Sequence, residues 1–382
     1  MDQHSVSDGR AGTRLGRWLT AGTGQLATLT ALGGLLVALA YALGGWEIIR
    51  AVVDPTGRQF SWLQSESWAA VLLKSGNLAL TLLGLAVALY TAYGIAGRPA
   101  LIPALISGLT AMTINTGYLG GLAAGLIVGV TTRGLRRITV PPKWHPLMTR
   151  AVIPLVTTLF TAVVFFYGAV QPLLGRLYEW LYNKMVILEL SDHHLWLGVV
   201  IGLVVCSDLG GAIYRIAFGF AVAGIASERP IPDHLTFMAV VVAAGMVPAL
   251  GLSLATLVRR KAFTPAERGY GTVAWILGLA GIPEGAVPFA LADPLRVIPA
   301  AMAGGAVTGV LTMLLGPTMA IPRAGVFAAD QLGKPLLFAA AIAAGAVVTA
   351  GLTIGLKCLR REQSPVRPSA TAASRAKVAL PN

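Results

Sequence analysis

The chain consists of long apolar runs separated by short polar segments. Runs of about twenty apolar residues recur between residues 24 and 357, and a helix of that length crosses the roughly 30 Å hydrocarbon core of a bilayer. We count roughly eight full spans, with two more helices or re-entrant hairpins in the ambiguous regions. The pattern therefore predicts an all-α polytopic membrane protein with about 8–10 transmembrane helices.

Three segments depart from this pattern. Polar and glycine residues interrupt apolar runs at 206–215 and 281–296, and broken helices of this kind often line binding sites in transporters. The segment 176–190 is amphipathic, with charged residues beside Trp180 and Tyr182. It predicts a helix lying in the membrane interface, with an ordinary loop helix as the alternative.

Composition and charge support the membrane interpretation. Hydrophobic residues make up 55% of the chain and charged residues only 12%, whereas soluble domains carry about 25% charged residues. The formal net charge is +13, and the basic residues lie between the spans and at both ends. By the positive-inside rule this indicates cytoplasmic N- and C-termini. No aromatic or base-reading motif accompanies the charge, so no nucleic acid partner is expected.

The sequence offers little support for metal or nucleotide chemistry. Cys206 and Cys358 have no CxxC partner, and no two of the five histidines share metal-ligand spacing with a carboxylate on a helix face. No Walker, GxSxG or HExxH motif is present, which disfavours an ATP-driven pump. We predict no metal site.

Glu284 is the ionisable residue that the apolar context explains least. A charged side chain in the bilayer core costs at least about 2.5–3.5 kcal/mol. Such a residue is therefore expected only where it is paired, hydrated or required for function. Glu284 lies in GIPEGAVPF, where prolines and glycines prevent a regular helix. Irregular backbone at membrane depth must be buried in protein or line a watery cavity. We therefore expect Glu284 to face a cavity, with a loop position at the membrane surface as the alternative.

Other charges in apolar surroundings leave two interpretations open. Asp293 and Arg296 are spaced to form a helix cap and a salt bridge at the start of a span, or to contact a ligand. Asp208 and Arg215 are spaced for an internal ion pair in a broken helix, or for a binding site. Arg323 follows a proline break, and its side chain is expected either in a cavity or in a solvent-facing loop.

Several stretches of the chain carry a family resemblance. GLAGIPEGAVPFALADPLRVIP resembles the signature GITEGAIPFAAADPLRVIP of the fructose-type membrane component (IIC) of the bacterial phosphotransferase system. GYLGGLAAGLIVG is similar to the family's GFLGGIIAGFLAG, and SDLGGAIYRIAFGF takes the place of its DMGGPVNKAAYAF. The resemblance covers about residues 24–357, and the combination of stretches is highly specific.

The resemblance implies a IIC-type transporter fold of about ten spans with two re-entrant hairpins, assembled as a homodimer in the bacterial cell membrane. It implies a sugar permease, in which the sugar is phosphorylated as it emerges by a partner domain, IIB, which is itself charged by IIA. The chain contains no soluble-looking block for either domain, so separate IIA and IIB proteins are expected. No cofactor is expected for this function.

The polar composition of the two ends and the family resemblance of the membrane part together suggest a division of the chain. Residues 1–22 would form a cytoplasmic leader and 359–382 a disordered basic cytoplasmic tail. Residues 23–190 would form an N-terminal membrane half for scaffolding and dimerisation, and 191–358 a C-terminal half that carries the substrate site.

Site residues carry over at matching positions. Glu284 matches the family's sugar-binding glutamate, whereas Pro283, Tyr214, Arg215 and Arg323 are among the positions that depart from the family pattern. The expected substrate-binding residues are Glu284, Pro283, Gly285, Asp208, Gly210, Gly211, Tyr214, Arg215, Asp293, Arg296 and Arg323.

Two alternative functions remain open at this point. The scaffold could serve as an integral membrane enzyme for a phosphate- or diphosphate-bearing isoprenoid or lipid, with Arg215 and Arg323 binding phosphate. Asp208, Glu284 and Asp293 would then act in acid–base catalysis or hold Mg²⁺. The other alternative is a carrier or sensor that works without the phosphoryl relay.

Overall fold

The computed structural model describes residues 23–48, 63–191, 193–226, 232–321 and 325–362. The expected leader at 1–22, Arg323 and most of the expected tail lie outside the described residues. The last helix continues to Glu362, so the prediction that the disordered tail begins at 359 is wrong at its first residues.

The described part of the chain is almost entirely helical, which confirms the predicted fold class. Two 2-residue strands, β1 Thr318–Met319 and β2 Leu332–Gly333, pair antiparallel. The α-helices, in chain order, are α1 Thr23–Gly44, α2 Ser65–Thr81, α3 Leu83–Ala96, α4 Leu101–Thr113, α5 Gly117–Leu135, α6 His145–Leu147, α7 Ile153–Thr158, α8 Gln171–Leu190, α9 His194–Ser207, α10 Ala212–Ile225, α11 Pro232–Val258, α12 Pro265–Leu279, α13 Val287–Ala292, α14 Pro294–Leu315 and α15 Pro335–Glu362.

Seven helical stretches in the described residues are long and apolar enough to cross a membrane. Helices α9 and α10 are apolar but only 14 residues each, too short for a full span. Together they form a helix–break–helix unit of the kind expected for a re-entrant hairpin, and α12 and α13 form a second. The seven spans are Gln25–Gly44, Ser65–Ala96, Gly117–Leu135, Pro142–Leu190, Asp233–Val258, Pro294–Leu315 and Pro335–Leu359.

The amphipathic segment at 176–190 is not a separate helix. It forms the end of α8, which begins at Gln171 and follows directly on the π-helical turns Leu159–Val170. Pro172 lies where the π-helical turns pass into α8, and the helical backbone continues through it. Its expected place in the membrane interface remains a prediction.

Small residues set the helix packing in both halves of the chain. A Cβ added to Gly125 of α5 would lie 2.7 Å from the carbonyl oxygen of Ala88 in α3, so these helices touch backbone to backbone. In the C-terminal half, a Cβ at Gly198 of α9 would lie 2.6 Å from the carbonyl oxygen of Gly309 in α14.

The core of the C-terminal half surrounds α11, the most deeply buried of the seven spans. At one end of this half, an ion pair and a hydrogen bond join neighbouring helices. Lys357 Nζ of α15 contacts Glu267 Oε1 of α12 at 2.7 Å, with both side chains largely buried. The guanidinium of Arg296 in α14 donates to the Leu356 carbonyl of α15 at 2.9 Å. These contacts position the helices that support the irregular segment around Glu284.

Candidate functional site

Three irregular segments of backbone meet inside the protein. They connect α4 to α5, α9 to α10, and α12 to α13. Each needs the left-handed backbone region, which glycine adopts without a steric penalty: φ is +64° at Gly117, +99° at Gly210 and +71° at Gly281. Two residues with side chains, Asn115 and Leu209, also have positive φ, at 55° and 49°. Such strained positions cluster at functional sites.

Gly117 and Gly211 bring the two halves of the chain together. A Cβ added to Gly117 would lie 2.5 Å from the Cα of Gly211. No side chain fits between the two backbones, so the break before α5 and the break before α10 lie directly against each other.

Glu284 lies against the same junction. A Cβ added to Gly210 would lie 2.7 Å from the carboxyl carbon and from Oε1 of Glu284. Gly210 therefore leaves the space that the carboxylate occupies. Glu284 and Gly210 are therefore direct neighbours in the structure.

Two cavities open at this point, and Glu284 borders both. The larger has a volume of about 110 Å³ and the smaller about 20 Å³. The larger is lined by Asn77, Leu80, Thr81, Leu83, Gly84, Met112, Asn115, Gly117, Tyr118, Leu209, Gly210, Arg215, Glu284 and Val287. The smaller is lined by Val37, Tyr41, Asn77, Leu80, Tyr214, Ala280, Gly281, Ile282, Pro283 and Glu284. The expectation that Glu284 faces a cavity is confirmed.

Asp208 is buried at the start of α10 and binds backbone. Its two carboxylate oxygens accept from the amides of Ile213 at 2.6 Å and Tyr214 at 2.9 Å. Only 2% of the residue is exposed, and it lines neither cavity. The carboxylate satisfies amide groups at the helix start that have no intrahelical partner, so it shapes the break that carries Gly210.

Arg215 pairs across the molecule, not with Asp208. Its Nη1 donates to Asn115 Oδ1 at 2.6 Å, which joins α10 to the break before α5. Both residues line the larger cavity. In the described residues no salt bridge joins Arg215 to Asp208, so the internal ion pair considered from their spacing is wrong.

The remaining expected site residues divide into two groups. Tyr214 and Pro283 line the smaller cavity beside Glu284. Gly285 is buried and lines neither cavity, and its carbonyl accepts from Tyr270 Oη at 3.0 Å.

Asp293 and Arg296 form the ion pair that was one of the two interpretations of their spacing. Arg296 Nη1 reaches Asp293 Oδ1 at 2.9 Å and Oδ2 at 2.7 Å. Asp293 is the residue before α14, although its side chain makes no capping hydrogen bond. The pair lines neither cavity, and the other nitrogen contact of Arg296 is to α15. Its observed contacts are therefore those of a structural pair.

Sequence reasoning missed the neutral polar residues of the site. Asn77, Asn115 and Tyr118 line the larger cavity, and all three come from the N-terminal half. Asn77 interrupts a long apolar run, and Asn115 immediately precedes a glycine-rich stretch that the family resemblance had already marked. These positions in the sequence could have indicated the site. The prediction did not include them because it considered mainly charged residues in apolar surroundings.

No group of three or more His, Cys, Asp and Glu side chains that could hold a metal ion occurs among the residues that the structure describes.

Comparison with known proteins gives a consistent set of relatives. The family model "Phosphotransferase system, EIIC" matches residues 28–304. The chain is 32% identical to the "Fructose-like permease IIC component 2" of Escherichia coli (strain K12) over 348 residues, 90% of this chain and 91% of that protein. It is 31% identical to the "PTS system fructose-specific EIIC component" of Haloferax volcanii over 360 residues, 89% of this chain and 91% of that protein.

A third relative is longer. The chain is 33% identical to the "PTS system fructose-specific EIIABC component" of Bacillus subtilis (strain 168) over 348 residues. The match covers 90% of this chain but 52% of that protein, so the chain spans about half the length of this relative.

Proposed function

Because the chain belongs to the phosphotransferase system EIIC family, we propose that it carries a sugar across the cell membrane as the permease component of such a system. It is a multi-pass membrane protein, and the identity to several fructose-specific components extends over most of the chain. The sugar we propose is D-fructose or a close relative of it.

The position of Glu284 supports this proposal most strongly. Its carboxylate borders both cavities, where three backbone breaks meet. A carboxylate accepts hydrogen bonds from hydroxyl groups, and such charge-assisted bonds are stronger than neutral ones. The cavities are lined by one carboxylate, the guanidinium of Arg215 and several amide and hydroxyl groups, and such a polar lining suits a polyhydroxylated ligand better than an apolar one.

The proposed partners are separate IIA and IIB proteins. The name of the Bacillus subtilis relative combines the EIIA, EIIB and EIIC components, and this chain matches only about half of that protein's length. In our proposal, IIB phosphorylates the sugar as it leaves the cavity on the cytoplasmic side, and no bound metal or cofactor is needed.

The proposed assembly is a homodimer in the lipid bilayer, with both termini in the cytoplasm. The helices of the N-terminal half expose large apolar side chains, as lipid or a second subunit requires; they include Ile102, Leu105, Ile106, Leu109, Leu155, Val156, Leu159 and Phe160. The excess of basic residues between spans supports the orientation.

Uptake of radiolabelled D-fructose tests the coupling. In cells without their own fructose permease, we expect uptake to rise at least about tenfold when this chain is expressed together with IIA and IIB, and the sugar to be recovered as a phosphate ester. Cells that express the chain without IIA and IIB are the control. Equal uptake in the control, as free sugar, would show a relay-independent carrier and contradict the coupling.

The membrane-enzyme alternative is not favoured. The three relatives described above are named as permease or phosphotransferase components. Of its proposed catalytic carboxylates, Asp208 accepts backbone hydrogen bonds and Asp293 pairs with Arg296, so neither joins Glu284 at the cavities.

A further inference from the structure

Asn77 faces Glu284 from the opposite half of the chain. Among the described residues, the two cavities share Asn77, Leu80 and Glu284 in their linings. Asn77 belongs to α2 in the N-terminal half, whereas Glu284 follows α12 in the C-terminal half. The carboxamide and the carboxylate therefore border the same space from two sides.

The carboxamide of Asn77 makes no hydrogen bond to another described residue. The structure records only its backbone carbonyl as an acceptor, from Thr81 Oγ1 at 2.8 Å. The residue is half-buried within a span whose apolar character is otherwise high. Polar side chains in such positions are costly unless a partner satisfies them. The carboxamide of Asn77 thus offers the cavities a hydrogen-bond donor and an acceptor that no other described residue uses.

Tyr118 is a second polar residue without a side-chain hydrogen bond to any described residue, and it lines the larger cavity. It is 5% exposed, and its hydroxyl has no hydrogen-bond partner among the described residues. The nearby carboxylate of Asp208 already accepts two backbone amides. In this conformation the hydroxyl oxygen is buried, so its contact with a ligand requires the cavity wall to move.

We propose that Asn77 and Tyr118 are specificity-determining residues that bind hydroxyl groups of the sugar opposite Glu284. The inference rests on the proposed function and names the ligand class more closely. A carboxamide pairs with two adjacent hydroxyl groups, because its oxygen accepts from one and its nitrogen donates to the other. The ligand is then a neutral polyol with vicinal hydroxyls, held between the two halves of the chain.

Sugar binding to the purified full-length chain in nanodiscs tests this inference, with D-fructose, D-mannose and D-mannitol as probes. Asn77→Leu removes the carboxamide at similar volume, and Tyr118→Phe removes only the hydroxyl. For the probe that binds the wild type best, we expect affinity to fall about tenfold in Asn77→Leu and about three- to tenfold in Tyr118→Phe. The melting temperature without sugar should stay equal or rise, since each change removes an unsatisfied polar group.

Matched controls separate binding from folding. Asn183→Leu, at an exposed position on α8, and Tyr93→Phe, at an exposed position on α3, should bind like the wild type. If Asn77→Leu fails to fold, Asn77→Ser provides the same comparison with a smaller side chain. A lower melting temperature with unchanged affinity would show a structural role and overturn the inference.

The outcomes also distinguish this inference from the proposed function. If Asn77→Leu and Tyr118→Phe bind within twofold of the wild type while Glu284→Gln loses binding, the inference is wrong and the proposed function stands. If the wild type binds none of the three sugars, the proposed sugar site fails and the inference fails with it.

Discussion

Replacing Glu284 with Gln is expected to reduce sugar uptake by at least about 100-fold. A hydrogen bond to a charged group contributes about 1.5–3 kcal/mol, and the loss of two such bonds corresponds to about 10²–10⁴ in affinity. Glutamine has nearly the same shape but places a donor where the carboxylate had an acceptor. A binding site built to match hydroxyl groups discriminates strongly against such a mismatch.

Uptake at equal amounts of protein in the membrane is the measurement for Glu284→Gln. Glu179→Gln serves as the matched control, because Glu179 is exposed on α8 and lines neither cavity. We expect the control to transport like the wild type. Uptake by Glu284→Gln within a few-fold of the wild type would mean that the carboxylate does not contact the sugar.

Replacing Gly210 with Ala is expected to reduce uptake by at least about tenfold. The added methyl group would lie 2.7 Å from the carboxyl carbon of Glu284, closer than real side-chain contacts. The backbone at Gly210 has φ +99°, which disfavours any side chain. Either the carboxylate moves or the break before α10 does, and both displace Glu284 from the cavities.

The control for this change lies in the same hairpin. A Cβ at Gly219 of α10 meets Tyr178 Oη only at 3.9 Å, an ordinary contact. Gly219→Ala should therefore insert and transport like the wild type, whereas Gly210→Ala inserts but transports at less than about a tenth of its rate, since about 1.4 kcal/mol corresponds to tenfold. Normal uptake by Gly210→Ala would show that this junction does not determine the position of Glu284.

The fold was predictable because the membrane imposes it. With so few charges, most of the chain lies in a medium where only backbone that is hydrogen-bonded internally is stable, and this favours helices. The number of spans was less predictable. The polar and glycine residues at 206–215 already indicated a break in the apolar run at 194–227, and in the structure this run forms two helices that are too short to cross. Hydropathy alone does not show where a left-handed turn interrupts a run.

The site was predictable only where a charge had no ordinary explanation. Glu284 was found because its surroundings prohibit a regular helix. Asp208 also matched the family, but its carboxylate binds amides five and six residues ahead, a contact set by the fold of the break. For Asp293 and Arg296, the three-residue spacing already favoured a pair.

Neutral residues could not be assigned to the site from the sequence. Asn77 and Tyr118 resemble the scattered polar residues that membrane helices carry for many reasons. Only the approach of α2 and α5 to the segment around Glu284 gives them a role.

The structure of the full chain in nanodiscs with D-fructose, determined by electron cryo-microscopy, tests the central claim most directly. We expect the sugar between the break before α5 and the break before α10, with at least one hydroxyl oxygen within about 3 Å of a carboxylate oxygen of Glu284. A bound sugar elsewhere in the protein, with Glu284 turned toward lipid or toward another protein group, would contradict the account.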